Sequence, residues 1–131
     1  MDVTRVLLAD GNPAVLETVA RMLESECQVI GAISDGLSLV AAAERLKPDV
    51  MILDVWVPGL SGFEAVRRLK KRHVRCVVIF LTVHRDIALA EEARLIGAMG
   101  YVLKPSADTE LLPAIQLAQQ GSFFLSRALR N

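Results

Sequence analysis

Short apolar runs alternate with stretches whose apolar residues recur every three or four positions. The runs are Val6–Ala9, Gln28–Ile33, Val50–Leu53, Val77–Leu81 and Tyr101–Leu103. Each is too short for a helix and is bounded by turn residues, as expected of strands buried on both faces of a parallel sheet. The intervening segments predict helices at Ala14–Ser25, Leu37–Leu46, Phe63–Arg72, Ile87–Ile96 and Asp108–Gln120. In the first, Val15, Val19, Met22 and Leu23 fall on one side; in the third, Phe63, Val66 and Leu69 oppose Arg67, Arg68, Lys70 and Lys71. Ser34-Asp35-Gly36 and Asp108-Thr109-Glu110 read as N-terminal caps, and Gly97 as a C-cap. Five strands alternating with five helices imply an α/β, doubly wound (βα)5 domain with a parallel sheet and right-handed crossovers.

Such a sheet gathers its chemistry at the carboxyl ends of its strands. Those ends carry Asp10, Asp54, Thr82 and Lys104. Asp54 closes the apolar run Met51-Ile52-Leu53 and is followed by the Pro58-Gly59 turn, which places a carboxylate where a buried strand opens into a loop. Two nearby carboxylates suit a hard divalent cation such as Mg2+. A hydroxyl and an ammonium opposite them suit a phosphoryl oxygen.

Composition sharpens this picture mainly by exclusion. With 131 residues, 53% apolar and 23% charged, the chain reads as one globular domain burying roughly two thirds of its unfolded surface. Fifteen acidic residues balance fifteen basic ones, so no net field favours nucleic acid or an anionic membrane. The charge-free run from Leu111 to Ser126 holds Pro113, Gly121 and three glutamines, and is too polar and too short for a membrane span. The amino terminus does not resemble a signal peptide, and a cytoplasmic protein is expected. Cys27 and Cys76 lack C-x-x-C spacing and are expected to be buried free thiols. The cations Arg67, Arg68, Lys70, Lys71, Arg72, His73 and Arg75 read as a solvated helix face suited to a helix C-terminus. His84 reads as an exposed loop histidine, and Trp56 as a shield on one side of Asp54.

The segments LLAD at 7–10, ILDVWVPGLSG at 52–62, FLT at 80–82 and GYVLKP at 100–105 together resemble the receiver domain of two-component response regulators. The resemblance spans residues 3 to about 120. It implies a flavodoxin-like five-stranded sheet in the order 2-1-3-4-5, with Asp54 as phosphoacceptor for a sensor histidine kinase. It further implies Thr82 as switch hydroxyl, Tyr101 as aromatic switch residue, Lys104 as phosphoryl contact, and a cis bond before Pro105. Mg2+ would be held by Asp10, Asp54 and the backbone carbonyl of Trp56. Phosphorylation is expected to draw Thr82 inward and let Tyr101 pack into the space it leaves.

One position departs from the family pattern. Two adjacent acids are expected after the first strand, but the sequence is Asp10-Gly11-Asn12. Gly11 supplies no carboxylate, so Mg2+ binding is expected to be weakened, with Asn12 a poor substitute. The alternative reading is an atypical pseudo-receiver that is phosphorylated weakly or not at all. The tail GSFFLSRALRN resembles the junction that precedes a helix-turn-helix domain. Residues 1–121 are thus expected to form the receiver and 122–131 a linker or short extension. DNA would be reached only through an output domain outside this chain, and a homodimer is possible; no membrane partner is expected. An aspartyl-phosphate phosphatase would want a second carboxylate where Trp56 stands. A flavin carrier would want a phosphate-cradling loop where Asp10-Gly11-Asn12-Pro13 stands. The chain is therefore not expected to be an enzyme beyond its own phosphorylation and dephosphorylation.

Overall fold

The computed structural model describes residues 3–131. Strands β1 (Thr4–Ala9), β2 (Cys27–Ile33), β3 (Val50–Leu53), β4 (Val77–Thr82) and β5 (Gly100–Leu103) alternate with helices α1 (Pro13–Leu23), α2 (Gly36–Leu46), α3 (Gly62–Lys71), α4 (Ile87–Leu95) and α5 (Ala107–Gln119). All strand pairs are parallel, in the order β2-β1-β3-β4-β5, and a two-residue strand β6 (Phe124–Leu125) extends the sheet beyond β5. The sixth strand is not anticipated by the sequence pattern, because two residues carry no readable alternation.

Alternate residues of each strand serve two cores. Leu7, Met51, Leu53, Phe80 and Tyr101 pack on the face covered by α2, α3 and α4. Val6, Leu8, Ile52, Ile79, Leu81 and Val102 pack on the other face with Leu23, Leu111 and Ile115. Burial on both faces explains why the strands lack a polar alternation.

Local chemistry places the helix starts. The side chains of Asn12, Asp35, Ser61 and Asp86 accept backbone N–H groups of α1 to α4 respectively. Asn12 is therefore occupied as the α1 cap, bonding the Ala14 N–H at 2.9 Å, rather than offering an oxygen to a metal. Gly97 adopts φ +100° just beyond α4, the left-handed conformation expected of a C-cap glycine. The cap expected from Asp108-Thr109-Glu110 is not formed. Helix α5 begins earlier, at Ala107, and Ser106 makes no side-chain cap bond; Asp108 and Glu110 lie in its first turn.

No cis peptide bond occurs among the described residues, so Lys104–Pro105 is trans, against expectation. Lys104–Ser106 form a 3-10 turn that leads directly into α5. A trans proline at the start of a helical turn needs no N–H and has a suitable φ.

Both cysteines are free, Cys27 buried and Cys76 half-buried. Burial pushes the Cys76 thiol up to about 11. Three of the α3-region cations are paired across the surface: Arg67 with Glu64 and Glu92, Arg68 with Glu64, and Arg72 with Glu44. This fits a solvated helix face. Among the described residues no helix is long and apolar enough to cross a membrane.

Candidate functional site

Strand register brings the site together. Ala9 pairs with Leu53, so Asp10 and Asp54 are the next residues on neighbouring strands. Thr82 pairs with Leu103, so Lys104 follows on the adjoining strand end. These are the four residues that the strand-end pattern selects, and the fold brings all of them to one edge of the sheet.

The Lys104 ammonium lies between the two carboxylates, 2.7 Å from Asp10 Oδ2 and 2.8 Å from Asp54 Oδ2. Asp10 is 5% exposed and Asp54 8% exposed. Burial alone would lower the lysine's pKa, but its bonds to Asp10 and Asp54 outweigh burial and hold it above the ordinary value. Lys104 therefore stays charged through the neutral range, and the attraction it supplies fades only in strongly alkaline solution.

The remaining carboxylate oxygens differ. Asp10 Oδ1 accepts the Asn12 N–H at 2.9 Å. Asp54 Oδ1 is buried and has no hydrogen-bond partner among the described residues. A buried acceptor without a partner costs about 1–3 kcal/mol, which marks this oxygen as the position where the site is incomplete.

Two carboxylates and one ammonium leave one negative charge uncompensated in a buried cluster. That excess, with the free Asp54 Oδ1 and an all-oxygen donor set, fits a hard divalent cation. The fit is limited, since no cluster of three or more His, Cys, Asp or Glu side chains suited to a metal occurs among the described residues. Gly11, next to Asp10, supplies no carboxylate. A Cβ at Gly11 would lie 2.8 Å from Pro58 Cδ and 3.0 Å from Pro58 Cγ, so an acid there requires the β3–α3 loop to move.

Thr82 and Tyr101, the residues expected to act as a switch, are both buried. Thr82 is fully buried, and its Oγ1 accepts the His84 N–H at 3.2 Å. Tyr101 is also fully buried and donates its hydroxyl to the His84 carbonyl at 2.7 Å. Tyr101 is thus buried in the interior while Thr82 is buried too. The Thr82 and Tyr101 side chains both meet the backbone of one residue, His84, a role that nothing in its sequence context signals. His84 is half-buried rather than an exposed loop residue, and its ring stands edge-on to Trp56 at 6.2 Å. Trp56 itself is 58% exposed.

Burial, followed by the carboxylates of Asp86 and Asp54, pushes the Tyr101 hydroxyl up to about 12. The unfolded chain ionises near 10, so between those values only the unfolded state loses the proton, and stability falls as pH rises across that interval. Tyr101 is the single tyrosine of the chain. An ultraviolet absorbance titration is expected to show it ionising well above free tyrosine; a midpoint near 10 in the folded protein would contradict the buried, hydrogen-bonded position.

The chain matches the family model of the response regulator receiver domain over residues 6–116. It belongs to that family. Among curated relatives it is 36% identical over 115 residues to the transcriptional regulatory protein PdtaR of Mycobacterium tuberculosis, covering 87% of this chain and 56% of that one. It is 34% identical over 124 residues to the response regulator GacA of Pseudomonas viridiflava, covering 93% and 58%. The receiver therefore spans little more than half the length of these relatives.

Solved structures agree with the fold. The isolated REC domain of RcsB from Salmonella enterica, described with the phosphomimetic BeF3-, superposes with a TM-score of 0.88 at 26% identity, covering 98% of this chain and 96% of that one. A LuxR-family two-component response regulator from Aurantimonas gives 0.91 at 28% identity, covering 98% and 93%.

Two features of the receiver's site escape a reading of the sequence. The His84 backbone junction depends on where the β4–α4 loop passes. The second is Gly62, whose lack of a side chain lets α3 start against the Asp54 carbonyl. A glycine at a helix start is ordinary in sequence; only the packed loop shows what it permits.

Proposed function

We propose that this receiver is a phosphorylation-dependent signalling switch that accepts a phosphoryl group on Asp54 from a sensor histidine kinase. The observation that carries this reading is the unpartnered, buried Asp54 Oδ1, beside a lysine that retains a third N–H for a phosphoryl oxygen. In the transfer, Asp54 Oδ1 bonds to phosphorus as the phosphorus–nitrogen bond of the donor histidine breaks. The bonding pair leaves with the imidazole nitrogen. The protein's part is chiefly positioning and charge neutralisation. Lys104 offsets charge on the transferring group, and the Thr82 hydroxyl is the donor that turns toward the product. Leaving His84 N–H for that bond would loosen the loop to which Tyr101 is also tied, which gives occupancy a route to the α4–β5 surface.

Asp10, Asp54 and the Trp56 carbonyl would hold Mg2+, with water in place of the carboxylate absent at Gly11. The bound ion would neutralise developing phosphoryl charge. We expect binding weaker than about 1 mM, equivalent to less than about 4 kcal/mol. Titration of Trp56 fluorescence, from the chain's single tryptophan, measures this directly. Sub-millimolar affinity would count against the weakened seat. Gly11→Asp is expected to tighten binding by about tenfold, or roughly 1.4 kcal/mol, less whatever the Pro58 displacement costs.

A second reading, the pseudo-receiver, draws on the bridging position of Lys104. Its ammonium already occupies the space between both carboxylates and could hold the site in one state without a divalent ion. Incubation with acetyl phosphate and Mg2+, followed by intact mass, separates the two readings. We retain residues 1–121 as the receiver and 122–131 as a connecting segment, in a cytoplasmic transcription regulator whose DNA contacts would lie in an output domain and which would act as a homodimer.

A further inference from the structure

The connecting segment is tied to the same strand that carries the switch tyrosine and leads into the site lysine. After Gly121 the chain turns back beside β5, where the Phe124 N–H bonds to the Met99 carbonyl and the Ser126 N–H to the Tyr101 carbonyl, at 3.0 and 2.9 Å. Ser126 is a fully buried polar residue on a tail that is exposed at Ser122 and again from Arg127 to Ala128. Its hydroxyl accepts the Leu103 N–H at 3.2 Å and donates to Glu110 Oε1 on α5. Glu110 Oε2 then accepts the Arg127 N–H at 2.9 Å. The hydroxyl thus donates once and accepts once, and its orientation is set.

Leu103 immediately precedes Lys104, whose ammonium joins Asp10 to Asp54. Ser126 therefore holds the backbone on both sides of Val102, at Tyr101 and at Leu103, on the strand that carries Tyr101 and leads into Lys104. A hydrogen bond to a charged carboxylate is shorter and stronger than a neutral one, so Glu110 gives this tie much of its strength.

We propose that Ser126, held by Glu110, is a positioning residue for Lys104 and Tyr101, and that it couples occupancy of the Asp54 site to docking of residues 122–131. The coupling rests on the reading of Asp54 as phosphoacceptor. Because coupling between two sites is reciprocal, a docked tail favours phosphoryl-group binding at Asp54, and occupancy of Asp54 tightens the tail. Ser126 acts through the β5 backbone and touches neither carboxylate.

The test uses the full chain, with beryllofluoride and Mg2+ as the phosphoryl mimic, Trp56 fluorescence for occupancy and amide hydrogen exchange for the tail. Beryllofluoride is expected to slow exchange at Ser126 and Arg127 by about fivefold, at the low end of ordinary coupling between sites. Glu110→Gln keeps the size of the side chain and removes its charge. It is expected to speed exchange at these amides and to raise the beryllofluoride concentration for half-saturation by about fivefold. A merely structural tail would free the amides and leave the half-saturation point unmoved, and that result overturns the proposal. Unchanged tail exchange on confirmed occupancy overturns it equally. If no beryllofluoride binds, the phosphoacceptor reading fails, and the tie is read from the site side. Lys104→Met, which removes the ammonium that bridges Asp10 and Asp54, is then expected to speed exchange at Ser126 and Arg127; no change in that variant overturns the coupling.

Discussion

Asp54→Asn is expected to take up no phosphoryl group from acetyl phosphate and Mg2+, whereas the unsubstituted chain gains one by intact mass. The amide keeps the shape of the carboxylate and an oxygen that can still accept from Lys104, 2.8 Å away in the parent. It lacks the nucleophilic oxygen that the structure leaves buried and without a partner. The substitution also removes the uncompensated negative charge of the Asp10–Asp54–Lys104 cluster. Loss of uptake should therefore come without loss of folding, and a thermal melt near the parent's would confirm it. Uptake that persists in Asp54→Asn would place the acceptor elsewhere. No uptake by the parent chain would favour the pseudo-receiver, with Lys104 serving as the resident cation.

The second large effect concerns a residue with no chemistry of its own. A Cβ on Gly62 would stand 2.3 Å from the Asp54 carbonyl oxygen, 3.2 Å from the Val55 carbonyl oxygen and 3.0 Å from the Phe80 ring. Two of these three neighbours are backbone, which cannot swing aside as a flexible side chain can. The Gly62 N–H also donates to the Val55 carbonyl at 2.7 Å, closing the loop that follows Asp54. Gly62→Ala is expected to destabilise the fold by about 2–3 kcal/mol through overpacking. It is also expected to slow phosphoryl uptake by displacing the main chain of Asp54. Urea unfolding supplies the first measurement and the time course of mass gain the second. Gly59→Ala is the control. Gly59 has φ +85°, and a Cβ there would meet nothing within 4 Å. Only the conformational cost then applies, roughly 1–2 kcal/mol. A Gly62→Ala protein as stable as the parent would show that the β3–α3 loop yields more readily than its hydrogen bonding implies.

The strands and their order of appearance were legible because parallel strands buried on both faces are written as short apolar runs, and the runs that build the site end on polar residues. Asp10, Asp54, Thr82 and Lys104 could be selected for the same reason. Gly11 was equally legible as a missing carboxylate. Its packing against Pro58 was not, since the two meet only when the β1–α1 and β3–α3 loops face each other across the sheet edge. The trans bond before Pro105 and the start of α5 at Ala107 also differed from expectation. Both depend on how β5 passes into α5, a junction governed by the 3-10 turn rather than by the Asp-Thr-Glu signal.

Side-chain polarity, read one segment at a time, was enough for the alternation of strands and helices, the residues at the strand ends and the shortage of acid beside Asp10. These are local properties, carried by the chain whether or not it is folded. The bridge that Lys104 makes to both carboxylates, the unpartnered oxygen of Asp54 and the sharing of the His84 backbone by Thr82 and Tyr101 came only with the folded chain. So did the reach of Ser126 back to β5. Most of these contacts join groups far apart along the chain, and all of them depend on strand register and loop path, which no single segment encodes.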